Sequence, residues 1–220
     1  MKPALVLFDL DGTLVDSRPG IVHSLRETLV LQGITLDADH DFTWCIGASL
    51  WKIFEHYLNT TDQHVLSGAV AQYRHIYRDG PMFEYNIYDG ILESLAEIKS
   101  DGARICIATA KAHEYAREII EVSTLAPYID HVYGSELDGR NVDKRDLLRH
   151  VLAEERNAPE LSVMIGDRHH DIDGALANGV HAIGVRYGYG AAEEIQHAHA
   201  CVDLARELPA TIASIIPQSR

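Results

Sequence analysis

Apolar positions along the chain follow two alternating rhythms. Ala4-Leu5-Val6-Leu7-Phe8 is apolar throughout, and the segments 104–108, 162–165 and 181–185 are apolar after a single polar residue each. His131-Val132-Tyr133 is a shorter candidate of the same kind. Runs of this length without alternation predict strands buried on both faces of a parallel sheet. Between them, apolar residues recur every three to four positions. Ile91, Leu92, Leu95 and Ile98 predict a helix capped by Asp89, with Gly102 just past its end. Leu147, Leu148, Val151 and Leu152 predict another, capped by Asp143, and a third runs from about Asp171 to Gly179. Strand and helix in alternation predict an α/β fold, a doubly wound Rossmann-like parallel sheet joined by right-handed crossovers.

The stretch from Asp16 to about Glu84 breaks this alternation, because it holds no strand pattern. Ser17 and Pro19 open a helix carrying Ile21, Val22, Leu25 and Leu29 that ends near Gly33. Leu50, Ile53, Phe54, Tyr57 and Leu58 fit the i, i+3, i+4, i+7, i+8 spacing of an amphipathic helix. A further helix spans about Asp62 to Arg78. The expected organisation is a core of residues 1–15 and 84–220, with an α-helical cap inserted at 16–83. Trp44, Trp51 and Phe54 are expected in the core of that cap.

Candidate chemistry lies where the predicted strands end. The first is followed by Asp9-Leu10-Asp11-Gly12-Thr13, and in open α/β sheets ligands bind beyond the carboxyl ends of the strands. An Asp-rich turn in solvent would use the same residues, but carboxylates at the end of a buried strand need compensation. The strand at 162–165 leads to Gly166-Asp167 and then Asp171. Asp9, Asp11, Asp167 and Asp171 converging on one sheet edge would form a hard, all-oxygen site of the kind Mg²⁺ prefers. Thr109-Ala110-Lys111 follows the strand ending at Ala108, where a hydroxyl and free N–H groups suit a phosphate oxygen, although Thr is also a routine helix cap. Lys144 opens a helix; alone it would pass for a surface residue.

Charge sharpens this picture. The 220-residue chain carries a net charge of −14, which argues against a nucleic-acid polymer as partner. A phosphate-handling site in so acidic a protein needs a local positive island from a metal ion, a few cations and helix N-termini. No apolar run reaches bilayer-spanning length, so no membrane partner is expected. The start of the chain does not read as a signal peptide, and the three cysteines, Cys45, Cys106 and Cys201, read as reduced thiols. A cytoplasmic location is expected. The chain is compatible with a monomer or a homodimer.

Taken together, DLDGT at 9–13, Thr109 after a strand, Lys144 opening a helix and GDRHHD at 166–171 stand in the order of the four motifs of the haloacid dehalogenase superfamily. The chain resembles that superfamily over essentially its whole length. It is most similar to the phosphoglycolate phosphatase-like branch with an α-helical cap, which includes 5′-nucleotidase-like relatives. The stretches 134–139 and Tyr187-Gly188-Tyr189-Gly190 also look like that branch.

The resemblance implies a Mg²⁺-dependent phosphatase acting on a small phosphorylated metabolite. Asp9 would be the nucleophile and Asp11 the general acid and base. Asp9, Asp167, the backbone carbonyl of Asp11, and Asp171 directly or through water would hold the metal. Thr109, Ala110 through its N–H, and Lys144 would hold the phosphoryl oxygens. Gly47, Ala48 and Ser49 look like the family's cap loop. Lys52 and Arg18 would reach a second anionic group on a substrate such as phosphoglycolate, or else lie on the surface.

Asp11 argues against the superfamily's dehalogenases and ATPases, whose pattern lacks an acid there. A β-phosphoglucomutase-type mutase ranks low, since Ile21 and Leu50 stand where that branch carries His and Arg. A phosphate-binding or receiver-like protein without turnover is the alternative from a different class. The thirteen His residues are scattered, which reads as surface or supporting positions rather than a metal site; His169 and His170 fall in the loop of the fourth motif, where lining the entrance is the alternative to such a position.

Overall fold

A computed structural model describes residues 3–137 and 140–216 of the chain. Of the 134–139 stretch, Asp138 and Gly139 lie outside the described residues. The chain divides into two units, residues 1–16 with 87–220, and residues 17–86.

The larger unit is built on β1 (Leu5–Phe8), whose four residues are all buried. Its neighbours are β4 (Arg104–Ala112) and β6 (Ser162–Gly166), and the sheet order is β5-β4-β1-β6-β7-β8. β5 spans His131–Ser135, β7 His181–Val185 and β8 Ala200–Val202, and every pairing is parallel. Alternate side chains leave the sheet on opposite faces. Leu5 and Leu7, with Cys106, Ala108, Met164 and Ala182, pack against Leu147, Leu148 and Val151 of α6 (Lys144–Glu155) and Ile172 and Ala175 of α7 (His169–Ala177). Each of the Leu, Ile, Val and Met side chains among them contributes about 1.5–3 kcal/mol on burial. The remaining helices of this unit are α4 (Ile91–Ser100), α5 (His113–Val122) and α8 (Leu208–Ile215). Two short strands, β2 (Val15–Asp16) and β3 (Asn86–Ile87), mark where the chain leaves and rejoins this unit.

The expected strands and helices are present, with corrections at their ends. Asp143 caps α6, accepting from the Arg145 N–H at 2.8 Å. Asp89 does not cap α4: Gly90 occupies the cap with a left-handed backbone, and its carbonyl accepts the Ser94 N–H. α7 starts at His169 rather than Asp171. Asp171 instead sits in the first turn, its Oδ2 accepting the Arg168 N–H at 3.2 Å. β4 runs four residues past Ala108. It bulges there, since Ala108 pairs with Tyr133 and Ala112 with Ser135. β8 is three residues long and carried no sequence pattern.

The smaller unit is helical, as expected: α1 (Arg18–Leu31), α2 (Leu50–Leu58) and α3 (Gln63–Arg78). Asp62 caps α3 by accepting the His64 N–H at 2.8 Å. Ile53 and Phe54 of α2 are fully buried, with Phe54 edge-on to Tyr73. Trp44 and Trp51 are not core residues: they are 43% and 40% exposed. Ile53, Phe54 and Tyr57 already fill the inward face of α2, so position 51 turns outward, and Trp44 stacks on the half-buried ring of Tyr57. Among the described residues no helix is long and apolar enough to cross a membrane.

Candidate active site

Phe8 is in register with Ile107 on one side and Ile165 on the other. Asp9, one residue past Phe8, is therefore level with Ala108 and Gly166, and Thr109 and Asp167 lie one residue further along the two flanking strands. The Asp9 N–H still donates to the Ile165 carbonyl at 2.9 Å, so β1 and β6 remain paired up to the acid. Asp9, Asp167 and Asp171 are all buried, and each presents an oxygen within 4.8 Å of the others. Lys144, the first residue of α6, enters this group from the side. Its Nζ lies 2.7 Å from Asp171 Oδ1 and 3.1 Å from Asp9 Oδ1, and it donates to the Ala108 carbonyl at 2.7 Å.

Burial opposes the charge on Lys144, but the Asp171 and Asp9 carboxylates outweigh it and hold the ammonium well above the ordinary lysine range. The acids respond in kind. Asp167 is pushed up to about 7, first by burial and then by the charges of Asp171 and Asp9. Burial also raises Asp171, in spite of Lys144. Three buried carboxylates thus cluster with one ammonium that pairs with only two of them, and Oδ1 of Asp9 and of Asp171 make no hydrogen bond beyond their contact with that lysine. An excess of negative charge on hard oxygen donors fits a divalent cation such as Mg²⁺.

Asp167 is held by parts of the chain remote in sequence. Its Oδ2 accepts the N–H groups of Tyr189 at 2.8 Å and Gly190 at 3.3 Å, and Thr13 Oγ1 donates to its Oδ1 at 3.4 Å. Gly12, at φ +82°, turns the first loop here, and a Cβ on it would collide with Asp167 Oδ2. A Cβ on Gly190 would strike the Asp167 carbonyl. Tyr189 Oη also donates to Asp16 Oδ1 at 2.6 Å, and Tyr187 Oη to the Thr13 carbonyl at 3.1 Å.

Asp11 departs from the expectation of four converging side chains. The N–H groups of Leu14 and Val15 both bond to the Leu10 carbonyl, forming a tight turn after β1. This turn takes Asp11 out of the strand line, and its carboxylate pairs with Lys111 Nζ at 3.1 Å. Lys111 sits on the β4 bulge with its side chain only 7% exposed; bulges re-aim side chains in this way. Thr109 is buried and its Oγ1 accepts the Lys111 N–H at 3.2 Å, while the Ala110 carbonyl accepts from Ser135 Oγ at 2.8 Å.

Sequence reasoning assigned no role to Lys111, Thr13 or the 187–190 loop. The first stood in plain sight two residues after Thr109, and the last as a tyrosine–glycine repeat.

His169 and His170 occupy the first turn of α7 with rings 3.7 Å apart, and His169 Nδ1 lies 2.8 Å from Glu194 Oε2. Arg168 Nε meets the same oxygen at 2.9 Å. These contacts overcome burial and hold the Glu194 carboxyl down to about 2. In the smaller unit, Gly47 (φ +81°) and Ser49 lead directly into α2, which carries the exposed Lys52, whereas the exposed Arg18 begins a different helix, α1.

A family model described as haloacid dehalogenase-like hydrolase matches residues 6–185. A protein from Pseudomonas aeruginosa named 5′-nucleotidase is 39% identical over 203 residues, covering 91% of this chain and 91% of that protein. The protein from Mycobacterium tuberculosis named tyrosine-protein kinase PtkA is 36% identical over 88% of this chain and 66% of its own length. A crystal structure described as a predicted phosphatase from Clostridium acetobutylicum superposes with a TM-score of 0.87 at 35% identity, covering 97% of this chain and 100% of that one.

Proposed function

From the chain's membership of the haloacid dehalogenase-like hydrolase family, we propose that it is a Mg²⁺-dependent phosphomonoester hydrolase working through an aspartyl-phosphate on Asp9. The observation that carries this reading is the cluster of Asp9, Asp167 and Asp171 around Lys144, with Asp11 beside it on a separate counter-ion.

Asp9 attacks phosphorus as the ester oxygen leaves, and Asp11 gives that oxygen its proton. Asp11 then takes a proton from water, which attacks the aspartyl-phosphate, freeing Asp9 and inorganic phosphate. Thr109, the Ala110 N–H and the Lys144 ammonium bind the phosphoryl oxygens. The carboxylates of Asp9 and Asp167 and the Asp11 carbonyl would hold the ion, with Asp171 ligating directly or through water. Bound there, Mg²⁺ supplies the charge that lets a carboxylate approach a phosphate dianion.

Two substrate classes are open to this site. The 39% identical relative named 5′-nucleotidase supports a nucleoside monophosphate. The sequence motifs support phosphoglycolate, whose carboxylate would be read by Arg18 or Lys52, with Gly47 and Ser49 in the cap loop.

The test is a panel of nucleoside monophosphates, phosphoglycolate and sugar phosphates, assayed with Mg²⁺ and with chelator, for the wild type and Asp9→Asn. Hydrolysis that needs Mg²⁺ and disappears in Asp9→Asn is expected. Full activity in chelator would refute the mechanism. An arm with ATP and a tyrosyl acceptor is included; transfer to tyrosine without ester hydrolysis would replace this reading.

A further inference from the structure

A second group of metal-ligating side chains lies on β4 three residues before Thr109, roughly 10 Å along the strand at about 3.3 Å per residue. Cys106 of β4 is in register with His131, the first residue of β5, and Glu155 ends α6 over both. The Glu155 side chain is only 2% exposed. One of its oxygens, Oε2, meets Arg104 Nε at 3.0 Å. The other is crowded: Oε1 is approached by His131 Nδ1 at 2.6 Å, Tyr133 Oη at 2.7 Å and Cys106 Sγ at 3.6 Å. A carboxylate oxygen has two lone pairs, so three proton donors on it are one too many.

Sulfur, imidazole nitrogen and carboxylate oxygen are the ligand types of a tetrahedral Zn²⁺ site. With bonds of about 2.3 Å to S and about 2.0–2.2 Å to N and O, such a centre separates S from O by about 3.6 Å and N from O by about 3.4 Å. The first is the separation present, and the second asks the half-exposed His131 ring to withdraw by somewhat under an ångström.

We infer that Cys106, His131 and Glu155 form a second metal site, separate from the carboxylate centre, that takes a borderline-soft dication of the Zn²⁺ class with water as fourth ligand. The thiolate discriminates against Mg²⁺. Without an ion, burial and then the Glu155 charge keep the Cys106 thiol protonated. Binding expels that proton to solvent, His131 coordinates through Nδ1 with its proton on Nε2, and two negative ligands balance the ion.

The test uses Co²⁺ on the full chain with the carboxylate centre saturated by Mg²⁺. One equivalent should produce a thiolate-to-Co²⁺ charge-transfer band in the near ultraviolet. Cys106→Ser should abolish the band, His131→Gln should weaken Co²⁺ binding at least about tenfold, and Cys45→Ser and Cys201→Ser should retain it. Absence of the band in excess Co²⁺, or its survival in Cys106→Ser, overturns the proposal. If Cys106→Ser does not fold, unchanged affinity in His131→Gln, at an exposed position, overturns it equally.

Discussion

Asp167→Asn separates what the acidic cluster costs the fold from what it contributes to function. Asp167 is fully buried, and burial, with the nearby Asp171 and Asp9 charges, pushes its carboxyl up to about 7 from the ordinary 3.8. A carboxyl raised on folding stabilises the native state only while protonated. Its contribution is complete below the unfolded value and is lost as pH climbs through the folded one. The shift of about three pH units, at about 1.36 kcal/mol each, amounts to about 4 kcal/mol that the metal-free protein loses between pH 4 and 8. Asparagine is close to isosteric and stays neutral. Its oxygen can take the Tyr189 and Gly190 N–H groups, and its amide can donate to Thr13 Oγ1. In chelator at pH 8 the variant should therefore melt higher than wild type, by up to roughly 8–16 °C at about 2–4 °C per kcal/mol. The gain should vanish near pH 4. Mg²⁺ should raise the wild-type melting temperature but not that of the variant, which should be inactive. Thermal melts across pH in chelator measure this directly. A variant no more stable than wild type at pH 8, or one whose advantage is the same at every pH, would refute the reasoning.

Three further outcomes follow from the geometry. Asp11→Asn should lower kcat/KM, which reports only the step that expels the leaving group, by about 10²–10⁴-fold on alkyl phosphates and far less on p-nitrophenyl phosphate, whose leaving group needs no proton; equal losses of kcat/KM on both would remove Asp11 from protonation of the leaving oxygen. Lys144→Met leaves its carboxylate partners without their cation, so the metal-free protein should lose about 3–5 kcal/mol. Chelator melts should register the loss, Mg²⁺ should recover part of it, and turnover should fall about 10²–10³-fold. Gly12→Ala combines a left-handed backbone with a Cβ aimed at Asp167 Oδ2. It should cost about 1–3 kcal/mol in denaturant unfolding and weaken Mg²⁺ binding measured by calorimetry.

What the sequence conveyed well was whatever depends on local repetition. Leu5 to Phe8 announced a doubly buried strand because no polar residue interrupts them, and Asp143 announced a helix start because an Asx cap acts within two residues. Asp9, Asp167, Asp171 and Lys144 were legible because each sits at or beside the end of an element, and parallel strands in register bring such ends together; Thr109 stood out only as the first polar residue after an apolar run, and it lies inside β4 rather than at its end. Illegible were contacts between remote segments with no pattern of their own. Tyr189 reaches Asp167 across 22 residues through its backbone N–H, a group every residue but proline carries. The Lys111–Asp11 pair depends on a bulge that no periodicity encodes. Trp51 was misplaced because hydrophobicity alone does not say which side of a helix is already full.

Helix α6 begins at Lys144 and ends at Glu155, with both tips pinned by buried charge. Its 12 residues make a spar about 18 Å long at about 1.5 Å per residue. A rocking of about 3° about the Glu155 moorings would swing the far tip by about 1 Å, a misplacement that typically costs about 10²-fold in rate. The precision with which Lys144 meets its carboxylates is thus set partly by Arg104, His131 and Tyr133, residues that never approach the reacting phosphorus.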